Sequence, residues 1–229
     1  MAKDNSSEET KTTHKSTSTV DQFKKEVGPI GFIGAIAGLI VLVGAAAIFF
    51  LDYKKDLKND TAQNEIFQAQ YYYENDSIEA GLLGDGRSLG FLDIIDIYSG
   101  TEVANLAHFY AGASYLKQRN YAEAIEYLEK FSSSEEIVQA RASKLLGDAY
   151  MEQGNFTTAG KNYMEAAETV DDKFFSPSYL ISASLAFEKS SDLASAVKAL
   201  DKIITDYKEA QEYTEARKHK ARLEVLAGN

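Results

Sequence analysis

The sequence predicts an all-α protein in which a single N-terminal transmembrane helix is followed by a solenoid of stacked helical hairpins. Three observations predict it. An uncharged apolar run fills residues 28–51. The chain beyond it is dense in Ala, Leu, Tyr, Glu and Lys at helical spacing, with few β-branched runs and one further proline, Pro177. A pattern of small and aromatic residues then returns at intervals of 35 and 37 positions.

The first element is a tail. Residues 1–22 are almost entirely Ser, Thr, Lys, Asp, Glu and Asn, too poor in apolar surface to offset the entropy of ordering, so a disordered N-terminal segment is expected over 1–27. The run 28–51 follows. As a helix its 24 residues reach roughly 36 Å, enough to cross a hydrocarbon core of about 30 Å, and only a helix satisfies its own backbone there. The run is too long for a signal peptide, and Ala45-Ala46-Ala47 leads into further apolar residues instead of a mature start. Phe49, Phe50 and Tyr53 fall where aromatic side chains meet headgroups, with Lys54 and Lys55 beyond. Lys11, Lys15, Lys24 and Lys25 precede the run and Lys54, Lys55 and Lys58 follow it, so charge bias leaves the orientation open. Gly34 and Gly38 form a G-x-x-x-G pair, and Gly31 with Ala35 repeats the small-residue spacing, a surface a second helix can approach closely.

The domain expected over 52–229 repeats internally. Gly112, Tyr115, Tyr121 and Ala124 recur 35 residues later as Gly147, Tyr150, Phe156 and Ala159, and 37 further on as Ser184, Phe187, Leu193 and Ala196. Small residues at these places let two helices approach; the aromatics fill the space around them. Gly154-Asn155 ends one helix, Ser176-Pro177 starts another with a cap and a first-turn proline, and Ser133 with Glu136 suits a capping box.

These positions resemble the tetratricopeptide repeat, whose core is L-G-x2-Y followed by a small alanine and a large residue four later. Leu146-Gly147-Asp-Ala-Tyr150 fits the first half; Ala124 with Leu128, Ala159 with Tyr163 and Ala196 with Leu200 fit the second. The repeats are placed at 105–138, 140–172 and 177–208, after a degenerate one at 61–99 and before a capping helix at 209–227. The stretch Gly81-Leu-Leu-Gly-Asp-Gly-Arg-Ser-Leu-Gly90 lies in the degenerate repeat. No strand leads into it, and its glycine order matches neither the dinucleotide nor the P-loop spacing, so it reads as a tight loop with Arg87 solvated. The resemblance implies a concave face built from first helices: Leu106, Phe109, Ala113 and Leu116, then Arg141, Lys144, Asp148 and Met151, then Ile181, Leu185 and Glu188.

Function classes narrow accordingly. The chain has no cysteine and a formal net charge of −11, while its first 27 residues are balanced, so the acidity belongs to the part after the apolar run. An acidic surface without a basic, aromatic-laced patch argues against nucleic acid. His14, His108 and His219 have no partner at ligand spacing, and Glu135-Glu136 and Asp171-Asp172 sit where acids cap helices. No catalytic nucleophile motif appears, and neither an enzymatic role, a cofactor, a metal nor a small-molecule substrate is expected.

Tail, span and acidic repeat domain together resemble the bacterial YfgM-type proteins, ancillary subunits of the Sec translocon. That resemblance implies a single-pass protein of the bacterial inner membrane, N-terminus cytoplasmic and C-terminal domain periplasmic. It would act as a scaffold or co-chaperone whose partners are the translocon, a PpiD-type membrane-anchored chaperone and unfolded or extended client segments. Three alternatives stay open: a scaffold for another cell-envelope assembly, an inverted-topology cytosolic receptor for targeting signals or chaperones, and a homo-oligomeric structural protein.

Overall fold

The structure, a computed structural model, describes residues 19–228. The tail expected over 1–27, with His14, therefore lies outside the described residues as far as residue 18. Every regular element among the described residues is an α-helix, as the spacing predicts. The chain divides into two compact units, Met1–Lys54 and Lys55–Asn229.

Helix α1, Thr19–Glu74, starts inside the expected tail. The tail's polar average hides the stretch Asp21-Gln-Phe-Lys-Lys-Glu26, most of whose residues tolerate a helix well. Gly28, at φ 70 and ψ 170, interrupts the helix with backbone that only glycine adopts freely. From Ile30 onward the helix is long and apolar enough to cross a membrane, and none of its apolar window is buried within the protein. A Cβ added at Gly34 or Gly38 would meet nothing within 4 Å, so this small-residue face is unoccupied by the described chain.

In the second unit the end of α1 is followed by α2 (Ile78–Leu83), α3 (Phe91–Ile97), α4 (Glu102–Lys117), α5 (Tyr121–Lys130), α6 (Glu136–Glu152), α7 (Phe156–Val170), α8 (Ser176–Lys189), α9 (Leu193–Asp206) and α10 (Tyr213–Leu226). From α2 onward each helix packs on the next, giving a stacked array. One turn recurs four times and sets the register. A left-handed residue (Asp76, Arg119, Gly154 or Ser191) closes the first helix of each hairpin. The following N–H then donates back to the carbonyl of Tyr72, Tyr115, Tyr150 or Phe187. This is the Schellman arrangement, and it ties the repeat's aromatic position to its turn, including the degenerate first hairpin.

Close packing follows the small residues. A Cβ at Gly112 would lie 2.6 Å from Leu128 Cγ, one at Gly147 2.6 Å from Tyr163 Cε1, and one at Gly160 2.7 Å from Phe187 Cε1. Ala124, Ala159 and Ala196 are wholly buried, as is Ser184. Phe187 is a core wedge, whereas Tyr115 and Tyr150 are only half-buried: Tyr115 stacks on Tyr127, and the Tyr150 hydroxyl donates to Glu129. On α10, Ala216 and Leu223 are buried, while Ala227, the C-cap that follows it, is exposed.

Two expected caps form differently. Ser133 makes no box with Glu136; its Oγ accepts the Glu135 N–H, its own N–H donates to Gln139 Oε1, and Glu135 is the N-cap of α6. Ser176 is the first residue of α8 and Phe175 the N-cap, because the Ser176 hydroxyl is taken by Ala167 O and the Asp172 N–H. The loop 84–90 is closed on itself. Asp85 accepts N–H bonds from Arg87 and Ser88 and the hydroxyl of Tyr72, which holds its carboxyl down at about 2, the Ser88 N–H contributing most. A Cβ on Gly90 would fall 2.3 Å from Gly84 N and 2.4 Å from Leu82 O, so glycine is demanded there by backbone meeting backbone. Arg87 is exposed, as read.

Candidate protein-binding groove

First helices α4, α6 and α8 carry the residues that the repeat pattern assigns to the groove. The structure separates them into three groups. Phe109 and Ala113 are 6% and 3% exposed and belong to the core, a correction to their assignment. The ring of Phe109 packs on Phe131 at 5.3 Å and lies beneath the Arg141 guanidinium at 5.9 Å, so the junction after α5 and the next first helix cover what an isolated hairpin would expose. Leu106 and Ile181 are half-buried against core clusters, and Leu185 is exposed.

Glu188 faces the terminal helix. Its carboxylate receives two bonds from Arg222, at 2.7 and 2.6 Å, and one contact from His219 Nε2 at 2.8 Å. Arg222 first, and His219 after it, hold that carboxyl down at about 2. Glu188 thus fastens α10 and is not free for a partner, the second correction.

The third group does converge. Leu116, Asp148 and Met151 line one depression of about 420 Å³ together with Lys117, Arg119, Tyr121, Glu152 and Tyr163. Its floor is ordered by Asp148, which accepts from Lys144 Nζ at 2.6 Å and from the Tyr163 hydroxyl at 2.8 Å. Burial, then the Asp148 charge, pushes the Tyr163 hydroxyl far above its ordinary range, so it stays a proton donor. Lys144 therefore acts through Asp148. The depression offers apolar side chains in Leu116 and Met151 beside charges of both signs, which suits a peptide segment bearing a large apolar residue with polar flanks.

Tyr121 and Tyr163 come from second helices, and Arg119 from the left-handed turn; a reading confined to first helices misses all three. Their signal was present, since Tyr121 and Tyr163 occupy recurring repeat positions whose rings are long enough to reach past the hairpin. Upstream, Tyr73, Phe91 and Tyr110 form a connected aromatic set, with centroids 5.1 Å apart for the stacked Phe91 and Tyr110. Burial raises the Tyr110 and Tyr179 hydroxyls as well. His108 is neither bonded nor in this depression: its Nδ1 is buried without a partner, and burial, then Lys130, lowers its pKa. No group of three or more His, Cys, Asp or Glu suited to a metal ion occurs among the described residues.

A family model described as tetratricopeptide repeat matches residues 106–134, from the second turn of α4 to the junction after α5. The chain contains a tetratricopeptide repeat. The stretch matched is the hairpin whose turn, at Arg119, recurs at Asp76, Gly154 and Ser191. The protein is thus a largely α-helical, tetratricopeptide-repeat-containing protein with one N-terminal apolar helix, and the repeat is a protein-interaction module. No curated protein sequence matches the chain.

Proposed function

We propose that the protein is a membrane-anchored scaffold that holds an extended or helical protein segment in the tetratricopeptide depression between α4, α6 and α7. The observation that carries this is the convergence of Leu116, Met151, Asp148 and Arg119 on one ordered, half-open depression in a repeat domain preceded by an apolar helix. Following the YfgM-type resemblance, the segment belongs to the Sec translocon, to a PpiD-type membrane-anchored folding factor or to their clients, with the domain periplasmic and the span in the inner membrane.

Photo-crosslinking in intact membranes tests it. A crosslinker at Met151 is expected to trap translocon or folding-factor components, whereas one at the exposed Ala122 of α5 is not. Met151→Glu should abolish their co-purification with the full chain without lowering its helix content. Co-purification unaffected by Met151→Glu would refute the depression as the docking place. A topology reporter fused after Asn229 settles the side of the membrane, and a cytosolic reading would favour the inverted-topology receptor.

A further inference from the structure

The depression between α4, α6 and α7 carries one cation that the fold leaves unused. The other charges of its lining are answered within the domain. Lys117 Nζ meets Asp76 at 2.9 Å, Lys144 Nζ meets Asp148 at 2.6 Å, and the Tyr121 hydroxyl donates to Glu152 Oε2 at 3.2 Å. Arg119 stands exposed in the same lining, and its guanidinium makes no hydrogen bond or ion pair among the described residues. A planar fork of N–H donors is thus offered to solvent beside the half-buried Leu116 and Met151.

The backbone at Arg119 is itself unusual. This residue takes the left-handed position of its turn, at φ 64, where the corresponding residues of the other three hairpins are Asp76, Gly154 and Ser191. Glycine adopts that conformation freely and short polar residues tolerate it, whereas a long side chain is disfavoured there. The turn does not need an arginine: Arg119 N–H donates to Leu116 O and Asn120 N–H to Tyr115 O, both through the backbone. A residue held in a costly conformation, whose side chain gives the fold no bond and which borders a binding depression, points to a role outside the fold.

Charge complementarity then defines the occupant. A guanidinium matches a carboxylate bidentately. The depression is half-open, so a segment can cross it and continue on both sides, and the carboxylate is that of an Asp or Glu side chain and not of a chain end. Asp148 and Glu152 in the same lining would repel a long acidic run, which restricts the match to one or two acids.

We propose that the depression selects a segment in which a large apolar residue, seated against Leu116 and Met151, lies next to an acidic residue that pairs with Arg119. The proposal rests on the docking role given above to this depression and adds the chemistry of the segment.

Short fluorescent peptides with blocked ends, differing only in whether Glu, Gln or Lys flanks a central Leu, test it by anisotropy with the full chain in micelles. The Glu peptide is expected to bind about tenfold more tightly than the Gln peptide, and the Lys peptide more weakly still, with the preference shrinking at high salt. Arg119→Gly should erase the preference for Glu over Gln while raising Tm by about 2–4 °C, since glycine takes this backbone freely. Arg119→Glu should turn the preference toward the Lys peptide. Affinity and stability moving in opposite directions distinguish a partner-facing arginine from a structural one. A preference for Glu that survives Arg119→Gly overturns the proposal, as does a fall in Tm in that variant, which would assign the guanidinium to the fold. Tighter binding of a peptide whose Leu bears a free terminal carboxylate than of the Glu peptide assigns Arg119 to a chain end and also overturns it. Equal binding of the three blocked peptides, lost in Met151→Glu, overturns this selectivity and leaves the docking role standing; no binding by any peptide overturns both.

Discussion

Replacing Gly147 by alanine isolates the packing on which the repeat stack depends. The added Cβ would lie 2.6 Å from Tyr163 Cε1, 2.7 Å from Cδ1 and 3.0 Å from Cζ. Carbon atoms rest at about 3.5–4.0 Å, so the ring has to retreat by roughly 1 Å. It is poorly placed to do so, being 4% exposed and held at its far end by the 2.8 Å bond from its hydroxyl to Asp148. Overpacking of this kind costs about 1–3 kcal/mol, and loosening a bond to a carboxylate adds about 1 kcal/mol at this partly exposed acceptor. Helix propensity offsets about 1 kcal/mol in favour of alanine. The net expectation is a loss of about 1–3 kcal/mol, near 5 °C in Tm, read by circular dichroism of the full chain in micelles. In a Tyr163→Phe background the ring is released at one end, so the penalty should fall by about 1 kcal/mol. A Gly147→Ala protein as stable as the parent, or a penalty undiminished by Tyr163→Phe, would refute the reasoning.

Other outcomes follow from the same structure. Glu188→Gln should raise hydrogen exchange across α10. Because the folded Glu188 carboxyl lies below its ordinary value of 4.5, at about 2, its contribution is present at neutral pH, fades as pH falls below 4.5 and is gone below about 2; the parent's denaturation midpoint should drop more over that window than the variant's. Gly90→Ala drives a Cβ into backbone at 2.3 and 2.4 Å, which no rotamer relieves, so it should destabilise by about 2 kcal/mol or more and open residues 84–90 to limited proteolysis. Ser191→Gly replaces a non-glycine residue at φ 64 and should stabilise by about 0.5–1 kcal/mol in thermal melts; a lower Tm would contradict the turn assignment. Gly34→Ile fills space that the described chain leaves empty, so it should leave domain stability unchanged while abolishing any dimer seen on electrophoresis in mild detergent.

Helix type and repeat register were legible in the chain because both are local or periodic. Gly112, Gly147 and Ser184 announce close contacts by being small where neighbours are large, and a 35-residue echo needs no tertiary information. The groove was only partly legible. Phe109 and Arg141 sit 32 residues apart on successive first helices, and whether the guanidinium covers the ring depends on how the hairpins stack. Glu188 looked like a groove residue because its periodicity is correct; its partners, 31 and 34 positions on, arrive only when α10 folds back beside α8. Ser133 and Ser176 had the composition of caps, yet junction geometry gave their hydrogen bonds to other groups.

Local side-chain volume, backbone permissiveness and hydropathy act over a few residues or at fixed periods, and from them the sequence alone determined an apolar span candidate, an all-α hairpin array and the glycines that make it possible. Which side of each helix remains open was decided by tertiary packing, since exposure is set by what a neighbouring hairpin covers. That is why Leu116, Asp148 and Met151 share a depression with Tyr121 and Tyr163 while Phe109 lies beneath Arg141.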